Sequence, residues 1–347
     1  MLEFAALMKT RILKTNLAEP LNRRLAEEHT KSALAKKIGV STQKLNAIMR
    51  DEWEYITRDA LERTIDFLEL EVSDVFELVP VDFWKPIEDA KGSILLRGSQ
   101  EGISKDQQYI PRYDDEATHV VKDFMRKFLL DCAEPPFADH RQDEAELLKK
   151  AKGQNCIVIG SPKTNAATEI LLSRFFDAAP FDPSVENRRK IPFGFCWPDD
   201  SEIVPEIVQR SSLACSAIAR KEVQNRPGIA VIDGTHVEAH YKPLKEFLEW
   251  KTNEGLDCGL AFVANKPFGT KLNIKLIVLA GFGGMGTLAA ARALVEDFRY
   301  LEPLGEETCV YGIVEGKYRK SKNTDVRELR SFRWRYRNGG HSPIKPN

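Results

Sequence analysis

Apolar residues recur three and four positions apart through the first eighty residues and again through 113–150, whereas beyond residue 151 short apolar runs alternate with helical stretches. Leu34, Ala35, Ile38, Val40, Leu45 and Ile48 fit the inner seam of two crossed helices, with Ala35 small at the point of closest approach. Gly39 supplies the left-handed residue that ends the first helix. Ser41 supplies a hydroxyl that caps the second. Pro86, Gly92, Gly98, Gly102 and Pro111 make 81–112 read as a connector. Val120, Val121, Phe124, Phe128 and Leu129 then predict a helix. The remaining pattern predicts strands at 156–159, 192–196, 228–232, 258–263, 274–280, 309–314 and 329–336, with the clearest helices at 166–176 and 287–298. Strand–helix alternation points to a layered α/β architecture. The chain therefore divides into a helical domain at 1–80, a linker with a connecting helix at 81–150, and an α/β domain at 151–347.

The second helix of the seam presents Thr42, Gln43, Lys44, Asn46 and Arg50 on its outer face. With Ala35, Gly39 and five apolar positions at the required spacing, residues 21–80 resemble the phage-repressor-like (Xre/Cro) helix-turn-helix family. The downstream stretch ITRDALERTIDFLELEVSDVFELVP is similar to that family's last two helices. With the strand–helix alternation further on, the expected fold is multidomain: an all-α helix-turn-helix domain, as the resemblance implies, followed by an α/β, Rossmann-like domain. The resemblance implies a recognition helix at 41–50, begun by Ser41 and Thr42, lying in the major groove of double-stranded DNA. Gln43 and Asn46 carry amides suited to adenine, and Lys44 and Arg50 suit guanine or phosphate. Lys31, Ser32 and Arg58 are the phosphate candidates. Readers of this class work as dimers on paired half-sites, so a homodimer or higher assembly is expected.

Two glycine-bearing turns carry the candidate chemistry of the α/β domain. Gly281, Gly283 and Gly286, with Gly284 and Thr287, form a G-x-G-x-x-G turn between an apolar strand and an Ala-rich helix. Such a turn brings backbone N–H groups and a helix N-terminus toward phosphates. The acid expected about 20 residues further on has no clear counterpart, and tight packing of the helix on the sheet explains the glycines equally well. The second turn runs Gly160, Ser161, Pro162, Lys163, Thr164, Asn165 and lacks the closing Gly-Lys-Ser/Thr of a Walker loop. Together the turns suggest a nucleotide or another small phosphorylated ligand. No resident cofactor is otherwise indicated.

Net charge changes this picture in one respect. The chain carries −1 overall, yet residues 9–50 hold ten Lys/Arg against three acids, leaving −8 for the rest. A basic segment of this kind suits a polyanion. Six widely spaced cysteines without a CxxC pair argue against a zinc or disulfide framework and fit a reducing cytoplasm. No apolar run is long enough to span a membrane. His236, Glu238 and His240 alternate as strand neighbours would, but spacing alone favours a polar strand face over a metal site. In 327–340, Phe332, Trp334 and Tyr336 are expected to face the core, with Arg333, Arg335 and Arg337 outward. The expected function is thus a DNA-binding transcriptional regulator whose α/β domain senses a small anion or holds an oligomer. The rivals are a nucleotide- or NAD-processing enzyme with an autoregulatory DNA-binding domain, and an assembly protein without ligand. No acid–base or nucleophile set stands out, which lowers the enzyme reading.

Overall fold

The computed structural model describes residues 11–15, 17–50, 55–71, 75–80, 82–90, 93–98, 100–101, 108–109, 111–129, 137–139, 143–196, 210–214, 228–233, 236–241, 254–304, 307–320 and 326–340. They form two units, 1–82 and 83–347.

In the first unit, helices α1 (Ala18–Glu28), α2 (Lys31–Ile38), α3 (Thr42–Met49) and α4 (Arg58–Leu68) enclose one core. Leu34, Ala35, Ile38, Leu45 and Ile48 are buried in it with Leu17, Leu21, Ala60, Ile65 and Val75, while Val40 packs against its edge. The unit is not all-α as expected. Strand β1 (Arg11–Thr15) pairs antiparallel with β2 (Phe76–Pro80), Arg11 opposite Pro80 and Thr15 opposite Phe76. The last expected helix is replaced at 76–80 by this strand, because a short segment takes its conformation from the partner it pairs with.

The second unit begins with the short helix α5 (Lys85–Asp89) and is built on a seven-stranded mixed sheet. In chain order its elements are β3 (Ser93–Arg97), the small hairpin β4 (Gln100–Glu101) and β5 (Gln108–Tyr109), α6 (Arg112–Phe128), β6 (Phe137–Asp139), α7 (Glu144–Gly153), β7 (Asn155–Ile159), α8 (Ala166–Phe175), α9 (Val185–Arg188), β8 (Phe193–Cys196), β9 (Gly228–Asp233), β10 (His236–Tyr241), β11 (Glu254–Asn265), β12 (Lys275–Gly281), α10 (Gly284–Asp297), β13 (Cys309–Lys320) and β14 (Arg327–Gly340). The large sheet has the order β14-β13-β11-β12-β7-β3-β6, and β8, β9 and β10 form a smaller antiparallel sheet. From β12 to β6 the neighbours are parallel; β12, β11, β13 and β14 are antiparallel. The expected connector at 81–150 is no linker: β3 and β6 are strands of the sheet, and α6 and α7 are their crossovers. Its glycines and prolines mark tight turns inside the unit.

One face of the sheet packs Ile94, Leu96, Cys156, Val158, Phe262, Leu276 and Val278 against α7, α8 and the inner side of β8 and β9. On the other, α6 and α10 pack together, and Phe83, Trp84, Phe124 and Phe298 stack edge to face or tilted. Because α6 leads from β3 to β6 on one side of β3 and α7 returns to β7 on the other, the winding reverses between β3 and β7.

Strand β14 departs from simple alternation. The register slips between Ile313 and Val314, where their partners are Tyr336 and Trp334, so Arg335 is the extra residue of a bulge. Trp334 therefore stacks on Tyr300 and donates to Asp297 at 3.0 Å, whereas Tyr336 meets Tyr311 on the opposite face. Arg333 and Arg335 pair with Glu315, and Arg337 with Glu307. A bulged, charged edge of this kind resists pairing with a further strand.

The cysteines described, Cys156, Cys196, Cys258 and Cys309, are free and buried. Burial pushes the Cys156 thiol up to about 12, so it packs as a small apolar group. Among the described residues no helix is long and apolar enough to cross a membrane, and no cluster of potential metal ligands occurs. A register shift falls between Val237 and Ala239, which breaks the expected alternation of His236, Glu238 and His240; their side chains lie outside the described residues.

Candidate functional site

The helix pair at 30–50 is set by its caps. Thr30 accepts from Ala33 N at 3.2 Å and starts α2; Gly39, with φ 80, ends it. Ser41 accepts from Lys44 N at 3.2 Å and starts α3, so the turn is only three residues long. Arg63 of α4 donates to Gly39 O and braces that turn. Ser32, Ser41, Thr42, Gln43, Arg50 and Arg58 are exposed, as is Lys31; Lys44 and Asn46 are half-buried. Besides the capping Ser41, four of the polar candidates are already engaged inside the unit. Lys31 Nζ donates to Asn46 Oδ1 at 2.9 Å, Lys44 Nζ to Thr57 Oγ1 at 3.2 Å, and Arg58 Nε to Glu62 at 2.7 Å. The hydrogen bond and charge of Glu62 raise the Arg58 pKa. Gln43, in the first turn of α3, keeps its amide exposed, and its side chain forms no hydrogen bond among the described residues.

The two glycine turns lie side by side. β7 and β12 are parallel neighbours, Ile159 opposite Leu279, and Gly160 N donates to Leu279 O at 2.9 Å. Asp114 of α6, almost wholly buried, joins them through hydrogen bonds to Thr164 (3.0 Å) and Thr287. Burial pushes its carboxyl up to about 6 against the lowering effect of those hydroxyls.

The turn at 281–287 is filled from within. Asp257, buried on β11, accepts from Gly286 N at 2.9 Å and Gly283 N at 3.2 Å, while Gly281 N donates to Thr287 Oγ1 at 3.0 Å. Helix α10 starts at Gly284, three residues earlier than expected, so Gly286 and Thr287 are helical. The glycines serve contact: a Cβ on Gly286 would overlap the Cys258 carbonyl, one on Gly259 would overlap the Gly286 carbonyl, and one on Gly281 would overlap the backbone of Gly283 and Thr287. Gly284 faces the ring of Tyr113. Of the donors assigned to a phosphate, the N–H groups of Gly283 and Gly286 thus hold a carboxylate of the chain itself, while those of Gly281 and Thr287 are taken by Thr287 Oγ1 and Gly283 O. Burial pushes Asp257 up to about 6, against the lowering effect of the N–H groups of Gly286, Cys258 and Gly283 and the charge of Arg327.

The turn at 160–165 is satisfied only in part. Asn165 caps α8 through Ala167 N and donates to the carbonyls of Leu96 and Ile159, and Thr168 donates to Gly160 O. Ser161 and Lys163 remain: neither side chain has a hydrogen bond or ion pair among the described residues. Arg97, the last residue of β3, stands opposite Ile159 at the end of β7 and pairs with Asp115 at 2.9 Å. Sequence pattern missed Arg97, Asp114 and Asp257; the one local sign was Asp257, an acid in the otherwise apolar run GLDCGLAFVA. Two other buried charges serve the fold. Arg188 donates to the carbonyls of Ala214, Ile191 and Phe193, and Glu169 accepts from Ser211 Oγ at 2.6 Å and Ser212 N at 2.7 Å.

No curated protein and no solved structure matches the chain. The capped helix pair, its buried seam and the supporting α4 coincide with residues 21–81, which match the family model of the Cro/C1-type HTH DNA-binding domain.

Proposed function

We propose that this chain is a transcriptional regulator that reads DNA sequence through α3, as a dimer on paired half-sites. The observation that carries the reading is Gln43, exposed on the first turn of a capped helix whose other face is buried in the domain core. An amide there presents a donor and an acceptor together, which suits an adenine edge. Asn46 reads a base only if Lys31 releases its carbonyl oxygen, for example to meet a phosphate. A binding site selected from random DNA tests the proposal. Gln43→Ala is expected to weaken binding to that site by about 1–3 kcal/mol and to leave binding to random DNA unchanged. Equal losses on both would remove base readout from Gln43. Light scattering that finds one chain both free and on the selected DNA would remove the dimer.

For the second unit we favour a sensor over an assembly module. Its strands β3, β6 and β7 are joined through the helices α6 and α7, a winding that would suit a Rossmann-like ligand domain, and Ser161 and Lys163 have no side-chain partner among the described residues.

A further inference from the structure

We propose that the crevice at the carboxyl ends of β3 and β7 binds a small molecule through a singly charged oxyanion, a carboxylate or a phosphodiester, held by Ser161, Lys163 and Arg97. This rests on the reading of the second unit as a sensor. It moves the ligand away from the glycine turn at 281–287, where Asp257 already holds the backbone donors.

Three observations meet here. The winding of the sheet reverses between β3 and β7, and open α/β sheets take their ligands outside the carboxyl ends of strands at such a reversal. Ser161 is 6% exposed, yet its hydroxyl has no partner among the described residues. The hydroxyl itself keeps access to solvent, so an acceptor on a ligand can reach it. Lys163, two residues on, is half-buried without a carboxylate, and burial lowers its pKa. Lysine is seldom withdrawn from water without a counter-charge.

The charges set the ligand class. Arg97 and Lys163 bring two positive charges, and Asp115, bonded to Arg97, removes one. Behind Thr164 stands the buried carboxyl of Asp114, which repels added negative charge. One negative charge on the ligand is balanced while Asp114 holds its proton; a second ligand charge, or the ionised form of Asp114, opposes binding. The backbone fits the same purpose. Gly98 lets the end of β3 approach the Thr164 backbone more closely than a Cβ would allow, and Gly160, with φ 117, turns the chain sharply after β7.

The test uses the full chain, with melting temperature and calorimetry as readouts. Cyclic AMP is the phosphodiester probe and pyruvate the carboxylate probe, at millimolar concentration. Adenosine, inorganic phosphate and ATP are the controls. A rise in melting temperature with cyclic AMP or pyruvate, weakened about tenfold or more in Lys163→Met and reduced in Ser161→Ala, is the expected result. Unliganded Lys163→Met should keep the wild-type melting temperature and circular dichroism, since the side chain bonds to nothing described. The proposal is overturned if none of the probes shifts the wild type, if only phosphate or ATP does, or if Lys163→Met responds like wild type. DNA affinity measured on the same preparations separates the two readings, because a failed oxyanion site leaves DNA binding intact and a failed DNA reading leaves the probe response intact.

Discussion

Asp114→Asn is expected to change how the stability of the second unit depends on pH. Burial raises the Asp114 carboxyl from 3.8 to about 6 in the folded chain. Between those values the folded state binds a proton that the unfolded state has released. Stability therefore falls as pH rises through this window, and the loss is complete above about 6. A displacement of about 2 units corresponds to roughly 3 kcal/mol at most, with 1–3 kcal/mol the reasonable range. Asparagine cannot ionise and keeps the size of the group. Its amide finds partners because the hydroxyls of Thr164 and Thr287 rotate to accept as readily as they donate. Wild type should thus gain stability between about pH 7.5 and pH 5, and the variant should gain roughly 1–1.5 kcal/mol less over the same interval, since the full difference is reached only below about pH 4. Urea unfolding of the full chain at both pH values, followed by hydrogen exchange in peptides from α6 and β7, gives the difference. Taking the variant against wild type cancels the other titrating groups. Equal gains in the two proteins would refute the assignment of a raised pKa to Asp114.

Two further expectations follow from glycine geometry. Gly286→Ala places a methyl group on the Cys258 carbonyl and must part α10 from β11, which should cost the second unit about 1–3 kcal/mol or more in urea unfolding; wild-type stability would show that the close approach is not needed. Gly39→Ala puts a side chain on a residue with φ 80 and should cost the first unit about 1 kcal/mol in thermal unfolding, with DNA specificity unchanged below the transition.

The helix pair was legible because every part of it is local. The seam residues, the left-handed Gly39 and the capping Ser41 lie within fifteen positions of one another, and each acts through its own turn of helix. The strands at 155–159 and 275–281 were legible for a similar reason, since both faces are buried and the runs are almost wholly apolar. What stayed hidden depends on partners distant in sequence. Residues 76–80 become a strand because 11–15 lie beside them. β3 belongs to the sheet because it pairs with β7, some sixty residues later, and not because of any pattern in a glycine-bearing stretch. The bulge at Arg335 is set against β13, so simple alternation placed Trp334 and Tyr336 on one face when they lie on two.

The same distinction explains why the G-x-G-x-x-G turn misled. Its spacing fixes a shape: a tight turn after a strand, a helix start with free N–H groups, and a helix laid close to the sheet. All three are present. Spacing does not say what fills the shape, and here β11 fills it. Gly259 and Gly286 let strand and helix approach until the Asp257 carboxylate reaches the N–H groups of Gly283 and Gly286. A carboxylate offers those donors the same acceptor geometry and negative charge as a phosphate oxygen pair, so the helix start is stabilised in the same way without a ligand. The neighbouring turn has no such substitute. Asn165 caps the helix, but among the described residues no acid bonds to Lys163 or Ser161. Of two turns that look alike as strand–glycine–helix units, the one with the stronger motif is closed by its own chain, and the one with the weaker motif keeps a cation and a hydroxyl available.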